Sequence, residues 1–285
     1  MIKNFLLSIF LLLIPSCFWG NTAYRPQVSV AGFIPLSGSG RDIYNFNPGW
    51  RYYKGDMERA ETVELDDSDW EVVATPHSVE LMPAEASGCR NYQGPVWYRK
   101  WFVIPAATRG KQVFIHFEAV MGKQKVYLNG HLVKEHLGGY LPFNIDLTAN
   151  GIQAGDSCLI AVMADNSDDK SYPPGKRQYT LDFSYHGGIY RDVWMIAKSD
   201  VSITDAVDAG KVAGGGVFIH YGRISEKKAD ILIDTEVRNN GKRQRKVEVE
   251  SSLVDATGTL IRRVVAMVHL DAGQSKTGNQ KIEVR

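Results

Sequence analysis

A chain of 285 residues with 33 basic and 32 acidic side chains carries a formal net charge of +1, which leaves no electrostatic footprint for nucleic acid and favours neutral ligands. The length suits two ordinary domains, or one large β-sandwich with an appendage. Seven histidines and three cysteines show no His-x-x-x-His or Cys-x-x-Cys spacing, so neither a metal site nor a cofactor is expected.

Residues 1–20 join a short basic start at Lys3 to an apolar run from Phe5 to Ile14 and then to Pro15-Ser16-Cys17. The run is too short and wrongly flanked for a spanning helix and reads as an export signal. The mature protein is therefore expected outside the cytoplasm, in the periplasm or on the outer membrane of a bacterium. Two fates stand for Cys17. Ile14-Pro15-Ser16-Cys17 resembles a lipoprotein box, in which Cys17 is lipidated and tethers the protein to a membrane, although Pro15 departs from the usual small or polar residue. Alternatively, Cys17 is discarded within an ordinary secretory signal. The other two cysteines, Cys89 and Cys158, form either one disulfide or two separate buried thiols, because sequence does not establish that the sulfurs meet.

Strand signals dominate from Tyr52 onward, with no long apolar run at i, i+3, i+4 and i+7, so the expected class is all-β. Gln112–Val120 alternates bulky and polar residues, as a half-buried strand does. Asn129-Gly130 between Val126-Tyr127-Leu128 and Leu132-Val133 predicts a type I′ hairpin. Cys158–Ala164 reads as a buried central strand and Ile189–Ile196 as a further strand. Residues 21–200 are assigned to a first sandwich, with a boundary near Lys198–Val201. Beyond it, Ala229–Val237, Lys246–Val254 and Leu260–Leu270 read as strands of an immunoglobulin-like sandwich. Such a domain takes about seven strands and roughly 100 residues, whereas residues 201–285 supply 85 positions that close on a strand-like Lys281–Arg285. An incomplete, truncated second sandwich is expected, the alternative being a small edge-capped domain.

Five segments fall in a telling order: Tyr44–Asp56 (YNFNPGWRYYKGD), Asp66–His77 (DDSDWEVVATPH), Gly94–Phe102 (GPVWYRKWF), Val126–Asp146 (VYLNGHLVKEHLGGYLPFNID) and Gln178–Ile196 (QYTLDFSYHGGIYRDVWMI). Together they resemble the N-terminal half of glycoside hydrolase family 2, which includes β-galactosidases, β-glucuronidases and β-mannosidases. The resemblance runs from about Ile43 to the end of the chain. It implies a jelly-roll, galactose-binding-like sandwich over residues 21–200, carbohydrate as partner, and possible homo-oligomerisation of the full-length enzyme. It further implies that catalysis belongs to a (β/α)₈ barrel carrying two glutamates, one of them after an asparagine. No Asn-Glu pair occurs in the 285 residues, so no catalytic residue is assigned and the chain alone is expected to be inactive.

Glycoside hydrolysis needs two carboxylates flanking the scissile bond, but a supporting domain needs only groups that read sugar hydroxyls. The resemblance implies that Asp182, six residues before Gly188, contacts the non-reducing-end sugar, as a carboxylate can by accepting two hydroxyl protons. The competing reading is a turn-capping aspartate bound to backbone amides. Asn91 is the second candidate, with an ordinary turn residue as the alternative. Tyr179, Phe183, Tyr185 and His186 are read either as stacking faces for a pyranose or as residues that pack the loop, and Tyr185 and His186 complete the candidate substrate-binding set. Arg191 and Asp192 are expected inside a strand on opposite faces, with Arg191 structural if buried. Trp50, Trp70, Trp97, Trp101 and Trp194 are assigned to the core, and His77 after Pro76 to a structural role. Tyr172–Arg177 is a stiff basic loop, either at a cleft rim or simply exposed. A free-standing carbohydrate-binding module and a protein-docking sandwich are the other classes the sequence admits.

Overall fold

The computed structural model describes residues 27–28, 41–82 and 91–285; the export signal, Cys17 and Cys89 lie outside them. All regular structure among the described residues is β, apart from two single-turn 3₁₀ segments at Ala106–Thr108 and Gln178–Thr180.

The first sandwich is built from β1 (Gln27–Val28), β2 (Asp42–Asn45), β3 (Trp50–Lys54), β4 (Glu71–Val73), β5 (Pro95–Val103), β6 (Gln112–Phe117), β7 (Lys123–Leu128), β8 (His131–Leu137), β9 (Phe143–Asp146), β10 (Ser157–Asp165) and β11 (Val193–Lys198). One sheet runs β1-β2-β11-β6-β9, the other β4-β3-β5-β10-β7-β8, and the strand pairs are antiparallel. The order is out of sequence because consecutive segments cross between sheets, the jelly-roll signature. Alternation on β6, β9 and β11 feeds Ile115, Phe117, Phe143, Val193 and Met195 into one core shared with Trp50, Tyr98, Phe102, Val126 and Ile160 of the opposite sheet. The β7–β8 hairpin turns at Asn129-Gly130, both at positive φ (49° and 86°), as the sequence predicts. β10 lies between β5 and β7 and is buried along nearly its whole length. Its Cys158 is a free thiol, which burial pushes up to about 12.

The six-stranded sheet has a second, smaller core on its outer face. Residues 56–70 wrap across it, so that Ala60 and Trp70 bury Trp97 and Ala161. Arg99, on the same side of β5, is fully buried and gives Nε to Asp67 Oδ2 at 2.8 Å, Nη1 to the carbonyls of Ala60 and Thr62, and Nη2 to Leu65 O at 3.3 Å. A charge removed from water survives only when its hydrogen-bonding capacity is met in this way. The wrap stops short of Trp101, which is 39% exposed rather than core, whereas the other four assigned tryptophans are buried. Lys100, on the inner face, is held by Phe46 O (2.5 Å) and Pro48 O (2.7 Å), and desolvation drives its pKa well below the usual lysine value.

After β11 the chain enters different sheets: β12 (Val201–Ile203), β13 (Val217–Ser225), β14 (Lys228–Asn239), β15 (Arg245–Val254), β16 (Leu260–Leu270) and β17 (Ser275–Val284). β14 is central, with β17 on one side and β12 and β13 on the other, while β15 and β16 form the facing ribbon. Val237, Val249, Val268 and Leu270 make its core. The ribbon sits over β14 and β17: Gln280 Nε2 donates to Val249 O and Val264 O. On β13, Val217 and Ile219 are 51% exposed although they lie opposite the buried Thr235 and Ile233.

Candidate functional site

The segment before β11 departs from its expected form. The strand begins at Val193, not Ile189, because the backbone of residues 187–189 is already committed to two other loops. Ile189 O accepts from His77 N (2.8 Å), Gly187 O from Val79 N (3.1 Å) and Gly188 O from Met121 N (3.0 Å). Gly188 has φ +92°, and a Cβ there would sit 2.2 Å from the Tyr98 hydroxyl; only glycine fits. Tyr98 is in turn fixed by His77 Nδ1 at 2.9 Å, which gives His77 its structural role. Arg191 and Asp192 consequently lie outside the strand. Arg191 is exposed, not buried, and Asp192 accepts from Asn47 Nδ2 at 2.7 Å.

This knot anchors the loop that carries the predicted residues. Asn166, which ends the buried β10 run, accepts from Gly94 N (3.2 Å) and donates to Tyr92 O (2.8 Å), while its carbonyl takes Gln178 Nε2 at 2.6 Å. Asp168 Oδ1 accepts from Gln178 N at 3.0 Å. The 91–94 segment is thereby tied to the 166–186 loop, and Asn91 Nδ2 closes the join by donating to Tyr185 O at 2.5 Å. Asn91 and Tyr185, chosen separately from sequence, therefore meet.

The ring of Tyr185 is buried with Met121, Leu181 and Tyr190, so it packs the loop and offers no face to a pyranose; desolvation raises its hydroxyl pKa. His186 is partly buried, with Nδ1 3.1 Å from Ser78 Oγ. Asp182 behaves differently. It is exposed, accepts no backbone amide as a turn cap would, and makes no hydrogen bond or ion pair among the described residues. Tyr179 (54% exposed) and Phe183 (44% exposed) flank it and remain available for stacking. The Tyr172–Arg177 loop buries Tyr172, while Lys176 and Arg177 stay exposed.

Sequence reasoning missed Asn166 and Gln178, whose one signal was a polar residue at the end of an apolar strand and another in a polar loop. Gln178 Oε1 and Asn91 Oδ1 are both buried acceptors with no protein donor among the described residues. Buried acceptors of this kind are normally satisfied, and with almost no accessible surface these two are closed to a ligand from solvent. Among the described residues there is no cluster of three His, Cys, Asp or Glu poised to hold a metal.

The two crossed antiparallel sheets define a jelly-roll sandwich. The profile described as "Glycosyl hydrolases family 2, sugar binding domain" matches residues 45–199. The chain belongs to glycosyl hydrolase family 2. It is 34% identical over 226 residues to a β-galactosidase of Thermoanaerobacter pseudethanolicus, covering 79% of this chain and 28% of that protein. It is 30% identical over 253 residues to a β-glucuronidase of Formosa agariphila, covering 84% of this chain and 25% of the relative. A Bacteroides uniformis β-glucuronidase structure superposes with a TM-score of 0.74 at 27% identity, over 86% of this chain and 28% of that one. The chain thus spans about a quarter of the length of these relatives.

Proposed function

We propose that these 285 residues are the sugar-binding portion of an exported exo-glycosidase of β-galactosidase or β-glucuronidase type, and that residues 21–200 and 201–285 are its first two domains. In this reading the acid and the nucleophile belong to a catalytic module encoded outside the 285 residues. The 91–94 and 178–186 loops form the rim of its pocket, where Asp182 holds the non-reducing-end sugar and Asn91 ties the two loops together through Tyr185 O. The observation that carries it is the state of Asp182: an exposed carboxylate with no structural partner, on a loop fixed at both ends. Fixing a loop costs conformational entropy, and a presented binding group explains why the loop is held. Export rests on the Lys3 to Cys17 segment, with lipidation of Cys17 as the membrane-tethered variant of the same reading.

The relatives' names divide between galactoside and glucuronide hydrolysis, so the substrate is tested directly. The complete enzyme and the 285-residue chain are each assayed on aryl β-galactosides and aryl β-glucuronides. Turnover of one class by the complete enzyme and none by the chain alone supports the reading. Turnover by the chain alone, or hydrolysis of neither class by the complete enzyme, overturns it.

A further inference from the structure

Far from the Asp182 loops, a cavity of about 570 Å³ opens where β6, β8, β9 and the end of β11 meet β12 and β14. The volume lies within the roughly 300–1,000 Å³ range of small-ligand sites, which favour junctions between folded units. No residue of the cavity belongs to the loops that hold Asp182 and Asn91.

Its charges are unequally committed. Each carboxylate has a fixed donor: Asp146 takes Ala149 N (2.8 Å), Asp205 takes Val207 N (2.9 Å) and Asp208 N (3.0 Å), Asp208 takes Asn144 Nδ2 (2.7 Å), and Glu236 pairs with Lys211. Three of the cations do not. The Lys134 ammonium makes no hydrogen bond or ion pair among the described residues. Arg238 gives only Nε, to Asn240 Oδ1 at 2.7 Å, which leaves both terminal nitrogens to donate. Lys198 lies over the Phe114 ring, 4.3 Å from its centroid, with no carboxylate in ion-pair range. Burial, and then the nearby Arg41, depress the Lys198 pKa, while Asp205, Asp208 and Asp146 act against them. Ser202, Ser275 and Asn240 also line the space, and their hydroxyl and amide groups can both donate to and accept from sugar hydroxyls. A single inorganic anion would fill little of this volume, and a guanidinium with two free terminal nitrogens matches a planar carboxylate.

We propose that this cavity is a second carbohydrate site, for an acidic saccharide whose carboxylate is held by Arg238, Lys134 and Lys198 while its hydroxyls meet the Ser202, Ser275 and Asn240 side chains. Occupancy ties the first sandwich to the second, since the cations come from both. The site does not depend on the glycosidase reading above.

The test is calorimetric titration of the full 285-residue chain at low salt with glucuronate, with glucose as the neutral probe, and with inorganic sulfate at matched ionic strength. Glucuronate is expected to bind saturably and at least tenfold more tightly than glucose or sulfate. The pair Lys134→Gln/Arg238→Gln is expected to weaken glucuronate at least tenfold, and Lys246→Gln, an exposed lysine outside the cavity, to leave it unchanged. Urea unfolding of the pair variant checks that the fold persists, and Arg238→Lys, which keeps the charge but loses the fork, should lose several-fold on its own. Equal affinity for glucose, equal affinity for sulfate, or a loss in Lys246→Gln as large as that in the pair variant would each overturn the proposal.

Discussion

Gly188→Ala tests whether the knot before β11 holds the candidate site. The methyl group would lie 2.2 Å from the Tyr98 hydroxyl oxygen and 3.2 Å from His77 O, on a backbone at φ +92°. Positive φ at a residue with a Cβ costs roughly 1–2 kcal/mol, and overpacking a closed site about 1–3 kcal/mol more, for a total of about 2–5 kcal/mol. Gly110→Ala is the control: φ is +75° but a Cβ there meets nothing within 4 Å, so only the backbone cost of roughly 1–2 kcal/mol remains. Urea unfolding of both variants should show the larger loss at Gly188. Tyr98→Phe in the Gly188→Ala background removes the offending oxygen, so the double variant should be more stable than the sum of the single losses by about 0.5–3 kcal/mol. Equal losses at Gly188 and Gly110, or additive behaviour with Tyr98→Phe, would refute the steric account.

Two further outcomes follow from buried ionisable groups. Arg99→Met leaves Asp67 and three carbonyls without their donor and should cost about 3–5 kcal/mol, read as a fall in the urea midpoint; a loss under about 1 kcal/mol would mean that the 56–70 wrap holds without it. His77 and His136 have pKa values lowered chiefly by burial. Both take up protons on unfolding below the ordinary histidine pKa of about 6.5, so stability should fall as pH drops from that value towards their folded pKa values. A urea midpoint unchanged between pH 7.5 and 5.5 would contradict the assignment, and His77→Gln should shrink the drop.

Much of the architecture is legible in the chain because local patterns and tertiary environment agree. Asn129-Gly130 turns a hairpin on its own chemistry, and the apolar run after Ser157 finds the sheet interior that its composition demands. Several of the misses share one cause, a partner distant in sequence. Ile189–Asp192 has strand-like residues, but His77 N captures Ile189 O, and Val79 N and Met121 N hold the two glycines before it. Trp101 alternates in register with Trp97, yet residues 56–70 cover only the latter. β12 and β13 went unread: β12 is only three residues long, and β13 leaves its apolar side chains half in water. At the candidate site, sequence chose Asn91 and Tyr185 separately and the fold joins them. The direction of the Tyr185 ring depends on Met121 and Tyr190, which no local pattern announces.

The account turns on Asp182 as a sugar-binding carboxylate in a pocket completed by another module, and kcat/KM of the Asp182→Asn variant of the complete enzyme on its preferred aryl glycoside measures this most directly. A fall of tenfold or more, about 1.4 kcal/mol of transition-state stabilisation, with unfolding unchanged, is the predicted result. A fall of less than about threefold, under ~0.7 kcal/mol, would contradict it.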